Sequence, residues 1–464
     1  MKDRLLNVWN QVHTSFWFVP TVMAVAAALL SFLALDLDRL VGEKFAQSMG
    51  FIWSGGAQGA RSLLSTIAGS MITVAGTVFS ITIVALTLAS SQFGPRLLRN
   101  FVRDTGNQIT LGTFTATFLY CILILRTIRA QDEGAFVPYI SVTIGVGLAV
   151  ASLGVLIYFV HHVSITIQAE NLIARVGREL RDSVDAHFPE IGQKEPDASI
   201  MQVEFQQSLD SMEVCHVTSQ RSGYLGAIDR DTIVDQGREK DMRIVLRCSP
   251  GDFVLCGDTM CEIWHSSHRK VAKESIDDLR DVFSLNDQRT EEQDVRYGAR
   301  QLAEIACRSL SPGINDPYTA MGCVDWISDA LVLVLRRDTP REFVEDEDGV
   351  IRLREYPPGF ASLCHATIEP VVAYGLDSPL VAQHLVMALG RVAENVKRGP
   401  EADVLHGFLR RVAVQAKVKL KDEGALAVLL ASTDRLEKKL EGLLTEDEAA
   451  RLSDRTLTEE PNPA

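Results

Sequence analysis

Four long stretches without a formal charge stand near the start of the chain, and they constrain the fold more than any other feature. They are Phe16–Leu35, inside an uncharged window from Leu5 to Leu35; a stretch within Ser62–Pro95, 34 residues without a charge; Thr105–Leu125; and Phe136 to about Val160, ending on His161 and His162. A bilayer core takes about 20 apolar helical residues, so each stretch is long enough to cross one. Water is absent there, so a crossing segment must satisfy its own backbone as a helix. A buried helix in a soluble core explains any one of these stretches, but not four in succession. The first is longer than the roughly 7–15 apolar residues of a signal peptide. No small-x-small cleavage site separates it from Asp36, so it reads as a retained helix. Trp9, Trp17 and Trp53 lie near segment ends, where indole rings favour the membrane interface.

The remainder of the 464 residues has a different character. Residues 1–165 carry a net charge of +3, and residues 166–464 carry −17. The acidic part has no electrostatic footprint for nucleic acid, and anionic lipid headgroups would repel it. Orientation follows from Lys and Arg near the helix ends. One side holds Lys2, Arg4, Arg96, Arg99, Arg103, Arg175, Arg178 and Arg181; the other holds Arg39, Lys44, Arg61, Arg126 and Arg129, a count of eight against five. Both termini are therefore expected in the cytoplasm, with the chain multi-pass in an inner (plasma) membrane. Eight cysteines without paired extracellular spacing fit a reducing compartment.

The second stretch carries an ordered row of hydroxyls. Thr66, Ser70, Thr73, Thr77, Ser80, Thr87 and Ser91 follow steps of 4, 3, 4, 3, 7 and 4, with Val84 in the vacant place. Such steps keep residues on one helix face. Gly69 and Gly76 flank the row. Two readings compete. Small residues let helices approach closely, with Ser and Thr bonding across the contact. Alternatively, symmetric copies of the helix surround an axis, and the hydroxyls line a water-filled path without committing it to one ion sign. Both set this helix at a protein contact.

The fourth stretch carries Ser141, Gly145 and Ala149 at four-residue steps, with Gly147, Ala151 and Gly154 beside them, a repeated small-xxx-small spacing suited to oligomeric packing. His161 and His162 read as interfacial polar residues. They point about 100° apart on a helix, so they cannot both face one site; histidine's titration range leaves a pH-sensing role open. Ile165, Ala169, Leu172, Ile173, Val176, Leu180 and Val184 continue the helical period, which suggests that the chain leaves the bilayer as one stiff rod. His187–Ser199 reads as a linker.

Residues 212–265 switch to short, β-rich runs punctuated by glycine. PGDFVLCGDTMCEIW places Gly251, Val254, Gly257 and Met260 at three-residue steps. This resembles the hairpin of biotinyl/lipoyl-like barrel-sandwich domains. No Met-Lys-Met tip is present, so no covalent cofactor is expected, and the module reads as structural. Cys256, Cys261, His265 and His268 lie close together as a weak zinc candidate; their spacing is not that of a standard finger. From Glu274 the pattern is helical, over Arg289–Leu310, Pro317–Arg336, Ala361–Tyr374, Pro379–Val396, Ala402–Lys421 and Gly424–Leu443. Asp338–Gly359 reads as a loop, and the tail after residue 445 as disordered.

SLSPGINDPYTA (Ser309–Ala320), FSITIVALTLASSQFGPRLLRNF (Phe79–Phe101) and RTIRA together strongly resemble an uncharacterised bacterial family of predicted membrane proteins, domain of unknown function 2254. The resemblance covers about Leu5 to Leu443. It implies a four-helix membrane part and a cytoplasmic remainder, and implies no known activity. Cys256 and Cys261 are not part of the family pattern. Within the motif Ser311, Pro312, Gly313, Asn315, Asp316 and Pro317 have a local explanation: Pro312–Gly313 ends one helix, and Asp316 caps the next with Pro317 at its first position. A helix N-terminus also suits an anion. Asp294 and Arg300, with Asn315, are the nearest polar groups for a ligand site. No phosphate-binding loop, nucleophile elbow or HExxH motif occurs, so no catalytic constellation closes.

The expected architecture is therefore a membrane α-helical part of four transmembrane helices followed by a cytoplasmic α+β part. The divisions are 1–165 in the membrane, 166–199 an amphipathic connecting helix and linker, 200–272 a barrel-sandwich-like β module, 273–445 a helical bundle and 446–464 a disordered tail. The expected function is a homo-oligomeric channel or pore-like transporter for an ion or small solute, without cofactor and not an enzyme. The alternative is a non-conducting scaffold or sensor that binds a cytoplasmic ligand or protein.

Overall fold

A computed structural model describes residues 17–46, 56–94, 104–128, 136–166, 168–192, 198–266 and 271–458. The chain divides into two compact units, Met1–Leu172 and Ile173–Ala464.

The first unit contains the four apolar helices α1 (Phe18–Ala46), α2 (Ala57–Phe93), α3 (Thr105–Leu125) and α4 (Tyr139–Thr166). α3 is the most enclosed of the four and packs against the other three. Its start is fixed by Asp104, whose carboxylate accepts from the amides of Gly106 and Asn107, satisfying donors that a helix start leaves open. Ala60, Leu64 and Ala68 of α2 pack with Tyr120, Cys121 and Ile124 of α3 and Val142 of α4. A second cluster joins Ala75 and Val78 of α2 to Leu111 and Phe114 of α3 and Phe159 of α4. Gly145 is part of this packing, because a Cβ there would stand 3.0 Å from Leu64. The expected rod is interrupted: α4 ends at Thr166 and a separate helix, α5 (Ala169–His187), follows. Asn171 Nδ2 donates to the Ile165 carbonyl and to Gln168 Oε1, bonds that close off the end of α4.

In the second unit, α5 buries Ile173, Val176, Leu180 and Val184. The unit continues through α6 (Ala198–Leu209), β1 (Met212–Thr218), β2 (Gly223–Ile228), α7 (Arg230–Glu239), β3 (Arg243–Leu246), β4 (Phe253–Val254), β5 (Thr259–Ser266), α8 (Lys273–Asp281) and β6 (Phe283–Asn286). It ends with α9 (Arg296–Ser309), α10 (Pro317–Leu335), β7 (Phe343–Glu345), β8 (Ile351–Arg354), α11 (Phe360–Gly375), α12 (Pro379–Ala393), α13 (Gly399–Lys419) and α14 (Glu423–Thr458). One sheet has the order β1-β5-β3-β8-β7, and a second the order β4-β2-β6.

Several expectations need correction here. Gly251 and Gly257 do take positive φ, and Val254 and Met260 are buried, but β4 pairs with β2 whereas β5 lies between β1 and β3, so the strands flanking Gly257 form no hairpin with each other. The segment Asp338–Gly359 supplies two strands rather than a loop. Ile351 and Leu353 are buried on β8, which runs parallel to β3, while the charged Arg352 is held by Asp346 and Asp241. Helix α14 runs on to Thr458, into the tail read as disordered. Five helices of the described residues are long and apolar enough to cross a membrane: α1 to α4, and α10 of the second unit.

Candidate functional site

Among the described helices of the first unit, the hydroxyl row of α2 lies on the side opposite the residues that pack on α3 and α4. Residues two apart differ by about 200° around a helix, so Thr66 opposes Leu64 or Ala68, and Thr77 opposes Ala75. Leu64, Ala68, Ala75, Val78 and Ala85 are buried, whereas Thr66, Ser70, Thr73, Thr77, Ser80, Thr87 and Ser91 are exposed. A Cβ added at Gly69 or Gly76 would meet nothing within 4 Å. The face is hydroxyl-bearing, uncharged and open over about seven turns.

Each hydroxyl is tied to its own helix. Thr66, Ser70, Thr73, Thr77, Ser80 and Thr87 donate to the carbonyl four residues earlier, at 2.8–3.1 Å, and Ser91 donates to Leu88 at 2.8 Å. The protons are thus engaged, and the oxygen lone pairs face outward. Such a row offers acceptors and no charge, which suits water, a permeating solute or the donors of a neighbouring helix. Gly147 and Gly154 of α4 also have open space at their Cβ positions, unlike Gly145.

Two carboxylates at the edges of the charge-free stretches join helices in the same unit. Asp38 of α1 accepts from the amides of Ile140 and Ser141 at the start of α4. Asp104 meets Nε2 of His162 at 2.9 Å, near the end of α4. Tyr120 of α3 donates to the Ser141 carbonyl at 3.0 Å. Polar groups in an apolar surround are held this way because each orphan costs several kcal/mol, on the order of 2–7.

In the second unit the SPGINDP segment connects α9 to α10. Asp316 caps α10, accepting from the amides of Tyr318 and Thr319 at 3.1 Å and from the Thr319 hydroxyl at 2.6 Å. Pro317 stands in the first turn, where no amide proton is missed. Ile314 and Asn315 both donate to the Ser311 carbonyl, and Asp316 donates back to Ser309. Asn315 takes φ +48°, a left-handed conformation that asparagine tolerates. The segment is fully explained as a helix-to-helix turn.

A family described as "Predicted membrane protein (DUF2254)" matches residues 13–391. The chain belongs to this family. An uncharacterized protein of Mycobacterium bovis is 32% identical to it over 442 residues, covering 94% of this chain and 81% of the relative. Uncharacterized proteins from two strains of Mycobacterium tuberculosis match it to the same extent. No solved structure matches at a significant level.

Other groups singled out from the sequence of this DUF2254 protein do not converge. Cys261 is buried in the core of the β strands, while Cys256 is exposed, its thiol donating to the Gln220 carbonyl. His265 Nδ1 contacts the carbonyl of Ser266, and His268 lies outside the described residues. Among the described residues no three His, Cys, Asp or Glu side chains are placed to hold a metal ion. Asp294 precedes α9 rather than lying on it. It is buried between Arg289 and Arg296, whereas Arg300 and Asn315 are exposed, so the three form no common site. The residues missed from sequence are Asp38 and Asp104. Their signal was position alone: each carboxylate stands at or within a few residues of the edge of a charge-free stretch, where an ionisable side chain is a candidate for a contact between helices.

Proposed function

We propose that this DUF2254 protein is a homo-oligomeric, multi-pass inner-membrane channel or pore-like transporter. Copies of α2 surround a path for an ion or small solute, and the second unit assembles and gates the ring from the cytoplasm. The observation that carries this reading is the hydroxyl face of α2, exposed, uncharged and opposite the residues that pack on α3 and α4 of the same unit. Open Cβ positions at Gly69, Gly76, Gly147 and Gly154 favour close approach of further helices. Four helices cross the bilayer in this reading, both termini are cytoplasmic, and α10 stays in the soluble unit. Support for placing α10 there comes from its two carboxylates: Asp329 pairs with Arg181, and Asp325 with His384 and Arg391. The reading involves no catalytic step and no cofactor.

A second reading, a non-conducting scaffold or sensor, is favoured by one observation. Because every hydroxyl of the row is bonded to its own helix, the same face can pack dry against a neighbour. Flux measurements on protein reconstituted in liposomes decide between the two. The channel reading expects passage of ions or small solutes that changes when Thr73 or Thr77 is replaced by phenylalanine. Folded, symmetric assemblies without flux would establish the scaffold instead.

A further inference from the structure

Among the described residues of the first unit, an imidazole and a carboxylate meet at one place. His162 Nε2 lies 2.9 and 3.0 Å from the two oxygens of Asp104. Asp104 has a side chain only 7% exposed, and it also caps the first turn of α3 through Gly106 and Asn107. The ring is held from two further directions. Tyr158, one turn back on α4, stacks on it at 5.3 Å between centroids. Gly106 faces it so closely that a Cβ would stand 2.7 Å from Nε2. Beside this junction, Oδ1 of the buried Asn107 meets no donor among the described residues. An ionisable pair joining two membrane-spanning helices near their ends is a candidate functional contact.

We propose that His162 and Asp104 form a proton-binding site whose occupancy sets how tightly the first turn of α3 is held against the last turns of α4. With the ring neutral, Nε2–H donates to the carboxylate. With the ring protonated, the same contact becomes an ion pair, and in a low-dielectric surround that contact is much stronger. The change falls directly on the helix start, because the carboxylate that receives it is also the α3 cap. Among the described residues, the other titratable groups on the packed elements are few. α4 itself brings Tyr158 and the exposed His161. α2 has no charged side chain after Arg61, which is bonded to the Ile128 carbonyl just beyond the far end of α3. Asp36 and Arg39 of α1 pair with each other, and Asp38 serves the opposite end of α4. The site is independent of whether the protein conducts.

Two measurements on the full chain in lipid nanodiscs test it. In protein labelled at the histidine rings with 13C and 15N, the ring signal identified by its loss in H162Q is followed across pH in wild type, D104N and D104E. The D104N profile is expected to differ from wild type, and D104E to resemble it. A ring signal that does not respond to pH, or profiles identical in wild type and D104N, overturns the proposal. Hydrogen exchange of residues 105–110, compared between wild type and H162Q, reads the α3 start with the Asp104 side chain left in place. Compared at equal pH, wild-type protection exceeds that of H162Q below the ring's midpoint and matches it above. A ratio constant across pH sinks the idea even if the ring titrates.

Discussion

Asp38 and Ser141 stand 103 residues apart in sequence, yet the Ser141 amide and hydroxyl both donate to Asp38 Oδ2, at 2.9 and 2.6 Å. The Ile140 amide reaches Oδ1 of the same carboxylate at 2.8 Å. One side chain of α1 therefore satisfies the start of α4 from outside that helix, and places negative charge at its positive end. It also sets the rotation of α4, because Tyr120 of α3 bonds the Ser141 carbonyl from the other side. Three helices meet in one polar knot inside an apolar unit.

Removing that knot should loosen the unit without unfolding it. Asp38→Ala is expected to cost about 1–2 kcal/mol, the upper range for losing a helix cap. Asp38→Asn keeps one acceptor and should cost less. Denaturant titration of the purified protein in detergent measures both. Equal stability of D38A and wild type would mean that water replaces the carboxylate freely.

Gly177 of α5 is set against the Trp326 ring of α10, and a Cβ on it would stand 2.3 Å from the ring. Alanine in place of a helical glycine normally adds about 0.5–1 kcal/mol of stability. Here the sign should reverse, to a loss of about 1–3 kcal/mol from overpacking. Gly177→Ala combined with Trp326→Leu should recover part of the loss, since the second change vacates the space. Thermal unfolding of the single and double variants tests the coupling.

Two glycines with positive φ separate backbone strain from crowding. Gly251 has φ +88°, and a Cβ on it would meet Asp294 and Arg289; Gly257 has φ +95° and open space. Gly257→Ala carries only the conformational penalty, about 1–2 kcal/mol. Gly251→Ala adds displacement of a buried ion pair and should be worse by at least about 1 kcal/mol. Similar melting shifts for the two would show that the Asp294–Arg289 pair moves aside easily.

Glu179 on α5 gives a pH dependence of unusual sign. Burial holds its carboxyl above the ordinary range, and the nearby Glu291 adds to this. A carboxyl whose value is higher in the folded state than in the unfolded one penalises folding once it ionises. The penalty is complete above the folded value and vanishes below the unfolded one, near pH 4.3 for glutamate. Glu179→Gln should therefore raise the melting temperature at pH 7 to 8 and leave it unchanged near pH 4. A variant less stable than wild type at pH 8 contradicts this assignment.

What could be read from the sequence follows from how far each feature reaches along the chain. The four apolar helices and the hydroxyl row were legible because a charge-free span and a 3–4 step are local properties. The cap at Asp316 was legible because an N-cap lies next to what it caps. Asp38 was not, since its partners are 103 residues away and the carboxylate itself looks like a boundary charge. Strand β8 was hidden because Arg352 and Arg354 give IRLR the look of a loop. Their charges are answered by Asp346, Asp241 and Glu342, which only the fold brings close. The break before Ala169 was hidden because hydrophobic spacing continues from Ile165 to Leu172, whereas Gln168 belongs to neither helix.

The two faces of α2 make the last prediction. Ala68 is 2% exposed and packs among Leu64 and Tyr120, so Ala68→Leu should destabilise the single chain by about 1–3 kcal/mol. Thr73→Leu lies on the opposite, exposed face and should leave the stability of the isolated protomer within about 0.5 kcal/mol. Its effect should appear instead in the assembled protein, as altered subunit association by native mass spectrometry or altered flux in liposomes. If Thr73→Leu weakens the protomer as much as Ala68→Leu does, the hydroxyl face is packed within the chain. If it changes neither stability, association nor flux, the face meets only lipid, and the assembly around α2 has to be abandoned.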